Sequence, residues 1–190
     1  MRRRGRWAGL ATVVAVLTAS LVAPAAAHAS PAPGVPSGSF YTELISVYTG
    51  NCLNVRHGST DRMAIIQQYH CDHTPAAKFL FVWAGTDATG ADYYKIQNQA
   101  SHYCVQIAQN GYSQPVLVWQ LECGTTQTPF LTDNWKLVPA PGGYKVVNMA
   151  NWWPTALCLD TGATADDWTP ITFSTCGPLQ WGQDWWLHLG

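Results

Sequence analysis

Cys158-Leu159-Asp160-Thr161 closes a series that begins with Cys52-Leu53-Asn54-Val55 and continues with Cys104-Val105-Gln106-Ile107. The leading cysteines stand 52 and 54 residues apart. A second set, Cys71, Cys123 and Cys176, is spaced by 52 and 53, and the gap inside each pair is 19, 19 and 18. A period near 53 that recurs three times makes internal repetition the organising feature of the chain. Outward from the cysteines the units keep their likeness. Each has an apolar or aromatic run before its first cysteine (44–48, 93–98 and 144–148). Each also ends on an aromatic after its second: Phe79 in Ala77-Lys78-Phe79, Trp135 in Asp133-Asn134-Trp135, and Trp185 in Gln183-Asp184-Trp185. The repeats therefore run over about 40–83, 90–138 and 143–190.

The runs alternate with period two, as strands buried on one face do: Ile45-Ser46-Val47, Val105-Gln106-Ile107, Val116-Leu117-Val118 and Tyr144-Lys145-Val146. Phe79, Phe81 and Trp83 are spaced likewise, as are Trp185, Leu187 and Leu189. Turn dipeptides such as Thr49-Gly50, Asn110-Gly111 and Thr161-Gly162 separate them, and no stretch after residue 29 reads as a helix. The pattern predicts an all-β barrel or sandwich. Four short strands cannot bury a stable core alone, so the three units must share one. Equal spacing suggests the pairs Cys52–Cys71, Cys104–Cys123 and Cys158–Cys176, although six cysteines allow fifteen pairings. Each local link would stabilise the fold by about 3 kcal/mol on chain-entropy grounds.

Residues 1–29 have the layout of a secretory signal peptide: Arg2, Arg3, Arg4 and Arg6, an apolar run from Trp7 to Val22, and a small-x-small site at Ala27-His28-Ala29. Thr12, Thr18, Ser20 and Pro24 interrupt that run and make it a poor permanent membrane span. Residues 30–39, rich in Pro, Gly and Ser, read as a flexible leader to a domain over 40–190. Cleavage would leave 161 residues with six Lys/Arg against eleven acids, a net charge of −5. Such a balance argues against nucleic acid and anionic membrane as partners. Six cysteines in an exported chain point to three disulfides rather than redox chemistry. Nine tryptophans and eight tyrosines in the mature part mean either a large aromatic core or rings left outside to stack on a ligand. Trp152-Trp153, before Pro154, is a conspicuous pair with both readings open: exposed for binding, or packed under a loop.

Three units of this length, with Cys-Leu-Asp-like and Gln-x-Trp-like marks, resemble the ricin B-type lectins over Phe40 to Gly190. The resemblance implies a β-trefoil: twelve strands, six in a barrel and six in a hairpin cap, about a pseudo-threefold axis. Phe79, Trp135 and Trp185 would then be core residues. It also implies one shallow sugar site per unit. An acid two residues after the first cysteine accepts bonds from sugar hydroxyls, an aromatic two before the second stacks on the ring, and amides near the closing mark complete the grip.

Carried over residue by residue, the third unit has the acid, Asp160, and the amide, Gln183; its platform position is Ser174, and Trp168 in the intervening loop is the candidate replacement. The first unit has a platform in Tyr69 and a helpful Gln67, with Asn54 at the acid position and Ala76-Ala77 at the amides. The second has Gln106 and Leu121 at the two main positions and Asp133 at the Gln of the closing mark; Trp119 could present a ring. The third unit ranks first and the first unit second. The plainer readings are that Asp160 ties its own Thr-Gly turn, Gln183 braces local backbone, and Tyr69 is a half-buried strand residue.

No hydrolase elbow, zinc-protease helix or phosphate loop is present. His70-Cys71-Asp72-His73 resembles a metal cluster, but Cys71 is better used in a disulfide, so no metal or cofactor is expected. Asp166-Asp167 are adjacent in a turn and make a poor glycosidase pair. The expected protein is a secreted, monomeric, non-catalytic carbohydrate-binding module for galactose- or xylose-type glycans. A trefoil with decayed sites that grips a protein partner, adhesive or inhibitory, is the alternative, followed by a small glycoside hydrolase. One shallow site would hold one sugar with a Kd of ~0.1–1 mM.

Overall fold

The structure, a computed structural model, describes residues 34–107, 116–124, 133–150, 155–178 and 180–189. The signal segment, the start of the leader, the Asn110-Gly111 turn and the Trp152-Trp153 pair lie outside these residues. Twelve strands follow in order: β1 Phe40–Ser46, β2 Cys52–Val55, β3 Ile66–Tyr69, β4 Phe79–Thr86, β5 Asp92–Asn98, β6 Cys104–Ile107, β7 Val116–Leu121, β8 Asn134–Ala140, β9 Gly143–Asn148, β10 Leu157–Asp160, β11 Thr172–Thr175 and β12 Asp184–His188. Two single 3₁₀ turns, Arg56–Gly58 and Trp181–Gln183, are the only helical pieces among the described residues.

The antiparallel pairings close a ring. β1 pairs with β4, β4 with β5, β5 with β8, β8 with β9, β9 with β12, and β12 with β1. The remaining strands form the hairpins β2–β3, β6–β7 and β10–β11. These meet one another through β7–β11 and through single bridges, Ile65 to Trp119 and Gln67 to Pro170. Six barrel strands and three cap hairpins, in units of four strands, are a β-trefoil, as the resemblance to the ricin B-type lectins implied. Each unit holds its own disulfide: Cys52–Cys71, Cys104–Cys123 and Cys158–Cys176. Each ties the first or second residue of the first cap strand to a cysteine one or two positions past the second strand, with Cys52 opposite Tyr69, Cys104 opposite Leu121 and Cys158 opposite Ser174.

The closing aromatics are the centre of the core. Phe79, Trp135 and Trp185 are fully buried, and Trp135 stacks on Phe173 with ring centroids 5.4 Å apart. Buried indoles need acceptors. Trp135 donates to the Val105 carbonyl at 3.0 Å and Trp185 to that of Leu159 at 3.3 Å, each carbonyl lying one residue after its unit's first cysteine. Phe79 fills the third position without a polar group. Opposite these rings across the barrel strands stand Asn98, Asn148 and Ser46, respectively. Each accepts an N–H from the turn that follows it: Ala100 to Asn98, Ala150 to Asn148 and Thr49 to Ser46. The same device thus starts each cap hairpin, with Ser doing for the first unit what Asn does for the other two.

Two patterns depart from the simple alternation. β2 and β6 are buried on both faces, because cap strands lie between the barrel mouth and neighbouring loops, so Asn54 and Gln106 are inside with their apolar neighbours. Trp83 and Leu189, in phase with core residues, are exposed. Each lies beyond the part of its strand that the core covers: the β4–β5 register slips between Trp83 and Gly85, and Trp83 donates instead to Asp92 at 3.1 Å.

Replacing Trp135 by Ala should lower unfolding free energy by about 3–5 kcal/mol, as for other large buried aromatics. Trp135→Phe should cost less, about 1–3 kcal/mol, since it mainly strands the Val105 carbonyl. Urea unfolding followed by circular dichroism measures both; a Trp135→Phe protein as stable as the wild type would mean that the indole N–H contributes nothing.

Candidate functional site

In the first repeat, β2 and β3 place Asn54 and Tyr69 beside an open cavity of about 550 Å³, which His57, Gly58, Asp72, Thr74, Pro75, Ala76, Ala100 and Trp168 also line. Its aromatic side is continuous. The Trp168 ring stands 4.2 Å from Tyr69 and 4.8 Å from His57, centroid to centroid, and remains 40% exposed. His57 and Trp168 both have left-handed backbone, φ 56° and 67°. That conformation is costly for large side chains and concentrates at sites where geometry matters.

Trp168 comes from the third repeat, not the first. Its loop runs along β3 and is bonded to it at several points. The Trp168 amide donates to the Gln68 carbonyl at 3.0 Å, the Gln68 amide to the Thr169 carbonyl at 2.8 Å, and the Gln68 side chain to the Thr164 carbonyl at 2.7 Å. Arg56 reaches the Trp168 carbonyl at 3.3 Å. Asp167 accepts from the His70 amide at 2.8 Å and pairs with the His70 ring at 3.0 Å. The ring contact holds the Asp167 carboxyl below its ordinary value of 3.8, burial opposes this, and the amide adds to the lowering.

This placement corrects the assignment of Trp168 to the third repeat's site: the ring completes the first repeat's cavity. Gln67 also moves out of the site. It faces Asn54 across the hairpin but is fully buried, does not line the cavity, and has neither amide atom bonded among the described residues. Of the first-repeat candidates, Asn54 and Tyr69 are brought together and Gln67 is not.

Around Asp160 the polar groups satisfy one another. One carboxylate oxygen accepts from the Gly162 amide at 2.7 Å; the other accepts from the Ser174 hydroxyl and, at 3.1 Å, from the Gln183 amide. Gln183 is fully buried; it also donates to the Thr175 carbonyl at 3.0 Å and accepts from the Gly177 amide at 3.0 Å. It braces Asp160 and the loop after β11 rather than facing solvent. Gly182 is required here, because a Cβ would sit 2.6 Å from Asp160 Oδ1. Next to it, Trp181 is 72% exposed. In the second repeat Gln106 donates to the Glu122 carbonyl at 2.5 Å, and Asp133 is paired with Lys95 at 2.6 Å and with the Gly124 amide at 2.6 Å. Asp166 accepts from the Thr164 hydroxyl at 2.8 Å, and Asp167 is held by His70.

Residues 34–119 match the family model for the ricin-type β-trefoil lectin domain-like proteins. That segment is ricin-type lectin-like. No curated protein matches the chain. Among solved structures, the Rhizoctonia solani agglutinin superposes with a TM-score of 0.65 at 21% identity, covering 83% of this chain and 99% of that one. The Macrolepiota procera ricin B-like lectin, solved in complex with lactose, gives 0.61 at 13% identity over 83% and 100%. An exo-β-1,3-galactanase from Clostridium thermocellum gives 0.65 at 20% identity, over 80% of this chain but only 30% of the galactanase. At these identities the structural likeness establishes the β-trefoil fold.

The sequence reading did not single out His57 and Asp72, which line this cavity, or the exposed Trp181. Asp72 was visible only as part of a supposed metal motif, and His57 carried no spacing signal. Trp181, two residues before Gln183, could have been singled out from its position beside the closing mark.

Because the folded Asp167 carboxyl is depressed, the contact that fixes the Trp168 loop is fully present above about pH 3.8 and is lost as pH falls below it. The Asp167 side-chain carboxyl carbon resonance should therefore titrate with a midpoint below 3.8, and Asp167→Asn should remove that step; a midpoint at or above 3.8 would contradict the assignment.

Proposed function

We propose that this chain is an exported, non-catalytic carbohydrate-binding module whose principal site is the first repeat's cavity. The observation that carries this reading is the Tyr69–Trp168–His57 ring cluster beside Asn54 and Asp72 in one open cleft. Sugars present an apolar face and a rim of hydroxyls, and that cleft offers rings together with amide and carboxylate groups. Asp72 supplies the charged acceptor that the first repeat lacks at Asn54. The third repeat, ranked first from sequence, is placed second because Asp160 is already bonded through both oxygens and has Ser174 at its platform position.

The lactose bound to the Macrolepiota procera lectin and the GalNAc bound to the earthworm R-type lectin favour a galactose-type ligand here. A single open cleft should hold it with a Kd of ~0.1–1 mM. Retention on polymers would then depend on several weak contacts acting together, and Trp181 offers a further ring for them.

Retention on immobilised galactose- and xylose-type glycans, with elution by free lactose, tests the reading. Trp168→Ala and Tyr69→Ala should each weaken binding about tenfold, equivalent to about 1.4 kcal/mol. Asp160→Ala should have the smaller effect. A larger loss from Asp160→Ala would return the leading site to the third repeat. Absence of retention on every glycan would favour the protein-binding alternative, and release of reducing ends would favour a hydrolase.

A further inference from the structure

On another face of the barrel, Glu43 of β1 and His188 of β12 are direct cross-strand partners, so their side chains leave the sheet on the same side. His73 reaches the same point from the loop after β3. That loop is fixed by the Cys52–Cys71 disulfide and by Asp72, which accepts from the Thr74 amide at 3.1 Å and from its hydroxyl at 2.9 Å. His73 itself has a left-handed φ of 57°. Its Nδ1 lies 2.8 Å from Glu43 Oε2, and His188 Nδ1 lies 3.6 Å from the same oxygen.

Glu43 is only 4% exposed, and its other oxygen, Oε1, is buried with no hydrogen-bond partner among the described residues. A buried carboxylate with one bare oxygen is costly unless a cation meets it. Among the described residues its ion-pair partners are two imidazoles, which are cations only when protonated. One ligand atom from each of the three residues falls within 4.8 Å of the other two. Donors around a tetrahedral zinc ion, with bonds of about 2.1 Å, stand about 3.4 Å apart, which small rotations of two half-exposed imidazoles can reach. The donor set, two imidazoles and one carboxylate, suits a borderline transition metal rather than calcium or magnesium.

We propose that Glu43, His73 and His188 bind a divalent transition metal of the zinc class. All three donors line one cavity of about 400 Å³ with Tyr41, Thr42, Lys78 and Gln99, so the coordination position not filled by protein opens into it. The ion would tie the first and last barrel strands to the first repeat's disulfide loop. This site shares no residue with the carbohydrate cleft and stands or falls independently of it.

The test is titration of the full chain, prepared without a polyhistidine tag and stripped with chelator, with Zn²⁺ by calorimetry and with Co²⁺ by visible absorption. One equivalent should bind with a Kd below about 10 μM. Saturating Zn²⁺ should raise Tm by about 5–10 °C. His188→Ala, His73→Ala and Glu43→Gln should each weaken binding at least tenfold and abolish the Tm shift. His70→Ala, outside the cluster, should bind as the wild type does. Near-UV circular dichroism of the apo variants separates loss of ligation from loss of fold, and the two histidine variants, being at surface positions, should keep native spectra. Wild-type protein that binds no Zn²⁺ below 100 μM, or a His188→Ala protein that binds it unchanged, would overturn the site.

Discussion

Closure of the six-stranded ring is the constraint on which everything else rests. Each four-strand unit has cap strands of only four to six residues and barrel strands of five to eight, too little to shelter an apolar face alone. Joining β12 to β1 completes the enclosure around Phe79, Trp135 and Trp185. Because each indole donates to a carbonyl of its own unit's first cap strand, the core rings of the second and third units couple barrel to cap. The disulfides are subordinate to this arrangement. They span 18 or 19 residues inside single units and restrict the cap hairpins, but none crosses from one unit to another. Cohesion between units is left to the core and to strand pairing.

Much of this was legible because it depends on quantities that a sequence carries directly. Cysteine intervals gave the unit length, and the closing aromatics gave the three core rings. What stayed hidden depended on neighbours far away in the chain. Trp168 lies in the third repeat by number, and only the docking of its loop along β3 shows that it serves Tyr69. His70 and His73 read as one motif in sequence, yet the turn between them sends one to Asp167 and the other to Glu43. Gln67 had the polarity of a site residue, but the double-sided burial of cap strands put it inside.

The three units use equivalent positions for unequal ends. At the acid position, Asp160 is absorbed into a network with Ser174 and Gln183, Gln106 bonds to backbone, and Asn54 lines the first repeat's cleft. Ion pairing follows the same logic of substitution on a shared scaffold. Lys95 faces Asn134 in register and meets Asp133, whereas Lys145 faces and meets Asp184 at 2.7 Å. Symmetry in the backbone thus coexists with divergence in the side chains.

The aromatic wall of the first cleft is assembled across repeats: Tyr69 and His57 come from the first and Trp168 from the third. The loop that carries Trp168 is held along β3 by its bonds to Gln68, so the relative placement of the two repeats sets the spacing of the rings. A first repeat cut out of the chain would keep two of the three rings and leave the third behind.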